Sequence, residues 1–74
     1  MKIKELDPPL MGGSACLVQI REQHYRVSTT RIKHHDETLA FKCDANGEVT
    51  DWSEVCGGRE ATREEVIEML TKLP

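Results

Sequence analysis

Residues 37–47 read Glu-Thr-Leu-Ala-Phe-Lys-Cys-Asp-Ala-Asn-Gly. The first seven alternate, with Leu39, Phe41 and Cys43 on one side and Thr38, Ala40 and Lys42 on the other, which is the period of a half-buried strand. Asp44-Ala45-Asn46-Gly47 supplies a turn: Asp opens it and Gly takes the left-handed position that closes it. Residues 48–56 then read as the returning strand. With Cys43 set opposite Glu48, Phe41 faces Thr50 and Leu39 faces Trp52.

Working outward, residues 15–21 (Ala-Cys-Leu-Val-Gln-Ile-Arg) and 24–32 (His-Tyr-Arg-Val-Ser-Thr-Thr-Arg-Ile) are rich in β-branched and aromatic types and predict a second hairpin. Pairing Arg21 with His24 sets Val18 opposite Val27 and Ile20 opposite Tyr25. One face of the sheet then collects Cys16, Val18, Ile20, Tyr25, Val27, Leu39, Phe41 and Trp52. Because side chains alternate across a strand, a shared apolar face supports the pairing. The other face is expected to be flat and polar, showing Arg21, His24, Arg26, Ser28, Thr30, Thr38, Ala40, Lys42, Asp51 and Ser53. Lys33-His34-His35-Asp36 reads as a polar break between the hairpins.

Gly57-Gly58 is expected to end the sheet. Thr62 with Glu65 three residues on is a capping box, which starts a helix. Val66, Met69, Leu70 and Leu73 then form one apolar stripe at helical spacing. Asp7-Pro8-Pro9 blocks helix, and Met11-Gly12-Gly13-Ser14 is flexible, so residues 1–14 read as an irregular arm pinned through Leu6 and Leu10. The expected architecture is α+β: one domain over 1–74, with a four-stranded antiparallel sheet over 15–56 and a helix over 62–73 packed on one face.

The chain has 74 residues and a net charge of −3. A domain this short buries only about 60 % of its unfolded surface and leaves no room for a cleft between two lobes, which favours a binding protein over an enzyme. No segment approaches the roughly 20 apolar residues of a membrane span, and the first residues lack the apolar run of a secretory signal, so a cytoplasmic protein is expected. Residues 1–42 hold seven Lys/Arg against five Asp/Glu, whereas residues 43–74 hold three against eight. That asymmetry predicts two electrostatically different surfaces and argues against direct nucleic-acid binding, which needs a dominant basic patch.

The residue types that could carry chemistry do not fall into a catalytic pattern. Cys16, Cys43 and Cys56 are an odd set without paired spacing and read as reduced, largely buried thiols. His34-His35-Asp36, with His24 or Cys43, lacks the short paired ligand spacing of a zinc site. No cofactor, metal or catalytic residue is expected. The acidic residues Asp44, Glu48, Asp51, Glu54, Glu60, Glu64, Glu65 and Glu68 can be read as a solvated surface that also favours the helix N-terminus. They can also be read as carboxylates standing in for the closely spaced charges of a nucleic-acid backbone. Of these, Asp44, Glu48, Asp51, Glu54, Glu60, Glu64 and Glu68 are the candidate partner-binding residues.

The stretch from Asp36 to Val55, with Glu37-Thr38-Leu39-Ala40-Phe41 followed by Gly47-Glu48-Val49-Thr50-Asp51-Trp52-Ser53-Glu54, resembles small orphan proteins of bacteriophages and prophages. These share a core of the form E-T-hydrophobic-x-F … G-x-V-T-D-W-x-E and often close with a Thr-x-Glu-Glu helix, here Thr62–Glu65. The resemblance covers roughly the last half of the chain and implies origin rather than activity. A common task of such small acidic proteins is to bind and block a host defence complex, anti-CRISPR proteins being the group in point. The implied partner is a host protein or nucleoprotein complex of the CRISPR-effector kind, met in the host bacterium's cytoplasm by a monomer or weak homodimer. The alternative is a small structural or regulatory module that self-associates through its open sheet face.

Overall fold

The structure, a computed structural model, describes residues 1–7 and 12–74. Its elements in chain order are β1 (Lys2–Leu6), β2 (Ser14–Ile20), β3 (Gln23–Ile32), β4 (His35–Cys43), β5 (Val49–Arg59) and α1 (Arg63–Thr71). The strands form one antiparallel sheet in the order β1-β2-β3-β4-β5, each beside its neighbour in sequence, and α1 crosses one face. The α+β class with a C-terminal helix is as expected, but the sheet has five strands, not four.

The additional strand lies inside the segment expected to be an irregular arm. Lys2-Ile3-Lys4-Glu5-Leu6 does not alternate: its apolar residues are three apart and fall on opposite faces, Ile3 beside Val18 and Leu6 beside Ala15. Pairing with β2, rather than local pattern, makes it a strand. Leu6 does reach the body of the fold, where its methyl group approaches Gly47; the pinning role expected of Leu10 falls outside the described residues.

The hairpin β2–β3 turns one residue earlier than expected, with a loop of the same length. Arg21 and Glu22 make a two-residue loop, so Val18 faces Tyr25 and Cys16 faces Val27. A shift of this parity keeps every side chain on its face. A second two-residue loop, Lys33-His34, joins β3 to β4 and sets Ile32 opposite His35 and Val27 opposite Ala40. Both loops open with a residue of positive φ, Arg21 at 59° and Lys33 at 53°, where tight hairpins prefer glycine.

That second register corrects the expected core. Thr38 and Ala40 share the face of Val27, under the helix, and Leu39, Phe41 and Cys43 take the other side. The core is Cys16, Val18, Tyr25, Val27 and Ala40 beneath Val66 and Leu70, flanked by Ile20, Val55, Cys56 and Ile67. Thr38 is buried there as well, its hydroxyl bonded to that of Thr29 over 2.9 Å.

The helix forms as its capping pattern predicts. The Thr62 hydroxyl accepts from the Glu65 amide, and the Glu65 carboxylate accepts from the Thr62 amide. Val66 and Leu70 are fully buried, Leu73 is partly so, and Met69 lies on the rim at 41 % exposure. Arg63 donates to Glu5 over 2.6 Å and ties the helix to β1. The resulting ion pair raises the guanidinium pKa above its ordinary value.

β5 runs on through Gly57 and Gly58 to Arg59 instead of stopping before them. Gly57 (φ 117°) crosses β4 so closely that a Cβ would sit 2.1 Å from the Thr38 carbonyl oxygen. Only glycine fits there.

Candidate functional site

The turn after β4 is built as its residues suggest, with one residue more. Cys43 pairs with Val49, so residues 44–48 form the loop. The Asp44 carboxylate accepts from the amides of Asn46 and Glu48, and Gly47 (φ 88°) donates back to the Asp44 carbonyl. The loop folds onto the sheet face away from the helix. Arg26 donates to the Gly47 carbonyl over 3.0 Å, and Gly47 and Cys43 are buried beneath the closure.

Beyond the loop the pairing of β4 with β5 breaks. Lys42 faces Asp51, but Ala40 faces Cys56, so Trp52, Ser53, Glu54 and Val55 stand against Phe41 alone. A bulge of this kind bends its strand and re-aims a side chain. The Asp51 carboxylate holds the bend by accepting from the Ser53 amide over 2.9 Å, and those Ser53 bonds set its pKa below the ordinary carboxylate range.

The side chain re-aimed is Trp52. It stands edge-on to Phe41, with ring centroids 5.3 Å apart and planes at 62°, yet 74 % of it remains exposed. Phe41 and Leu39 lie half-buried beside it, and with Ser28, Thr30 and Glu37 they border a shallow depression of about 350 Å³. The open face therefore differs from the flat polar surface expected. Thr38, Ala40, Lys42 and Asp51 point to the helix side, while Phe41 and Trp52, both expected in the core, form a patch on the open face. Sequence reading missed this patch because it placed Trp52 opposite Leu39 in an unbroken ladder.

The seven candidate acidic residues do not gather at one spot. Asp44 and Glu48 lie in the loop at one end of β5, and Glu60 follows its other end. The β4 partners between those ends, Cys43 to Glu37, span about 20 Å at strand rise. Asp51 and Glu54 lie along the edge strand, and Glu64 and Glu68 on the helix. Three of them are already engaged: Asp44 closes its own loop, Asp51 holds the bulge through Ser53, and Glu68 pairs with Lys72 over 3.3 Å.

The remaining chemistry-bearing groups are accounted for by burial. All three cysteines are free thiols, and burial raises the pKa of each above its ordinary value. Cys43 does lie directly across β3–β4 from His24, a pairing of the kind that can activate a thiol, but the sulfur is closed over and its raised pKa keeps it protonated. Among the described residues, no three His, Cys, Asp or Glu side chains come together to hold a metal ion. No helix among them is long and apolar enough to cross a membrane.

Compared with known proteins, the chain matches no family model, no curated sequence and no solved structure.

Proposed function

We propose that the chain is a non-enzymatic binding protein that docks onto a partner protein through the Trp52–Phe41–Leu39 patch. The observation that carries this reading is Trp52, a large apolar side chain left 74 % exposed at a bulge that fixes its direction. Exposed apolar patches rimmed by polar residues mark interaction sites, and tryptophan is the side chain most enriched where interfaces concentrate their energy. A photo-crosslinking residue at position 30, on the border of the depression beside Trp52 and introduced in bacterial cells, tests it. A discrete protein adduct that Phe41→Ser suppresses supports the reading. Labelling no stronger than from a crosslinker at Glu22, which lies in the far hairpin loop, overturns it.

A second reading follows the resemblance to phage proteins. In it the partner is a host defence complex of the anti-CRISPR-target kind, and the carboxylates of Asp51, Glu54, Glu60 and Glu64 enter its nucleic-acid groove. The observation favouring it is that these four carboxylates are exposed on β5, on the turn after it and on α1, and none of them takes part in an ion pair among the described residues. Charge reversal at Glu54, Glu60 and Glu64 separates the two readings: it abolishes binding by a mimic and leaves docking through Trp52 intact.

A further inference from the structure

The edge of the sheet opposite Trp52 has features that the patch does not use. β1 is a regular five-residue strand whose outer side pairs with nothing among the described residues. Such an edge presents a row of backbone donors and acceptors ready to accept another strand. Its side chains are ordered by charge and polarity. Lys2 and Lys4 project to the open face, and neither forms an ion pair among the described residues. Ile3, between them, projects to the helix face and is 50 % exposed. The next residue, Glu5, already has its charge answered by Arg63.

The open-face side of this edge borders a depression of about 500 Å³, floored by Leu17 and rimmed by Lys2, Lys4, Gln19, His24 and Ala45. Its charged rim is entirely basic, in a protein of net charge −3. Of the carboxylates adjoining the rim in sequence, Glu5 is paired with Arg63 and Asp44 is held by the amides of its own loop. The rim therefore offers an anionic side chain two ammonium groups and no competing carboxylate.

We infer that β1 is a strand-addition site for an extended segment of a partner protein whose side chains alternate anionic, apolar, anionic. Opposite residues in an antiparallel pair share a face and lie within about 5.5 Å of each other. An added strand would place carboxylates opposite Lys2 and Lys4, over the basic depression, and an apolar side chain opposite Ile3, covering that residue. The same lysines repel strands that carry cations at those positions and so restrict what the edge accepts. This site does not depend on the Trp52 patch; it lies on the other edge of the sheet.

The test uses a fluorescent, end-blocked peptide with a Glu-Val-Glu-Val-Glu core, against a permuted peptide of identical composition, Glu-Glu-Glu-Val-Val. The alternating peptide is expected to bind saturably, more weakly as salt is raised, and at least ~10-fold more tightly than the permuted one. Lys2→Glu with Lys4→Glu should weaken it by a further ~10-fold or more, with the melting temperature of the variant confirming that it is folded. Hydrogen exchange should slow at alternate β1 amides. Equal binding of the two peptides overturns the inference in favour of plain charge attraction. No binding, binding that survives the double charge reversal, or protection outside β1 overturns it outright. A chain that oligomerises by itself, and that the double charge reversal returns to monomer, assigns the edge to a second copy and also overturns it.

Discussion

Trp52 meets Phe41 edge to face at 5.3 Å on the side of the sheet that the helix does not cover. The pair is exposed because of what lies on either side of it in sequence. Lys42 opposite Asp51 and Ala40 opposite Cys56 leave four β5 residues against one on β4. The surplus chain loops outward and carries the indole with it. The bond from the Ser53 amide to the Asp51 carboxylate keeps the loop in one shape.

Because Trp52 is largely exposed, Trp52→Ala is expected to change folding stability by less than about 1 kcal/mol. Loss of an interface anchor costs about 2–4 kcal/mol, or roughly 30- to 1,000-fold in affinity. Urea denaturation of the variant, beside its capture of the crosslinked partner, checks the pair of expectations. A variant that unfolds while retaining affinity per folded molecule would show that Trp52 serves the fold instead.

Ala40 and Leu39 provide a direct test of which face is the core. Ala40 is fully buried beneath the helix, so Ala40→Lys is expected to unfold the domain by forcing an unpaired charge into the core. Leu39→Ser, on the open face, should cost about 1–2 kcal/mol, since Leu39 is only half-buried. Thermal melts of the two variants check the order. The reading from sequence implies the reverse order, and the reason lies in parity. The alternation of Leu39, Phe41 and Cys43 with Thr38, Ala40 and Lys42 was legible, and so were the Asp44–Gly47 turn and the Thr62–Glu65 cap. Alternation, however, says only that two faces differ. Which face joins Val27 depends on the β3–β4 register. Any loop there with an even number of residues, two or four, puts the even-numbered β4 residues beside the odd-numbered β3 ones. Hydrophobicity pointed the other way because Leu39 and Phe41 are the larger side chains. β1 was not legible for a different reason, since Ile3 and Leu6 serve opposite faces and its strand character comes from pairing alone. The Trp52 site was hidden with them: no local signal marks a bulge whose cause is the mismatch between two strands.

Lys33 opens the β3–β4 loop at φ 53° and Arg21 opens the β2–β3 loop at φ 59°. Left-handed backbone costs a non-glycine residue about 1 kcal/mol or more. Lys33→Gly and Arg21→Gly are each expected to stabilise the protein by about 0.5 kcal/mol, after allowing for the greater freedom glycine adds to the unfolded chain. The two loops lie at opposite ends of β3, so the gains should add in the double variant. Chemical denaturation midpoints, with unchanged slopes, read this out. A loss of stability in either variant would mean that the lysine or arginine side chain contributes more than its backbone costs.

Asp51 links the bulge to pH. Its carboxyl pKa in the fold lies below the ordinary range because the charged form accepts from Ser53. A carboxylate with a depressed folded pKa adds stability that is present above its unfolded pKa, near about 4, and is lost as pH falls through the lower folded value. Acidification through that window should therefore release the bulge. Trp52 is the single tryptophan of the chain, so its fluorescence and near-ultraviolet dichroism report the step directly. The native protein is expected to show an acid transition in the Trp52 signal that Asp51→Ala abolishes, the variant giving the released signal at neutral pH. Asp51→Asn is neutral at every pH, as the protonated acid is, and should likewise give the released signal at neutral pH with no acid step at Trp52. A transition that persists unchanged in Asp51→Asn would assign it to another carboxylate and leave the shape of the bulge to the chain around it.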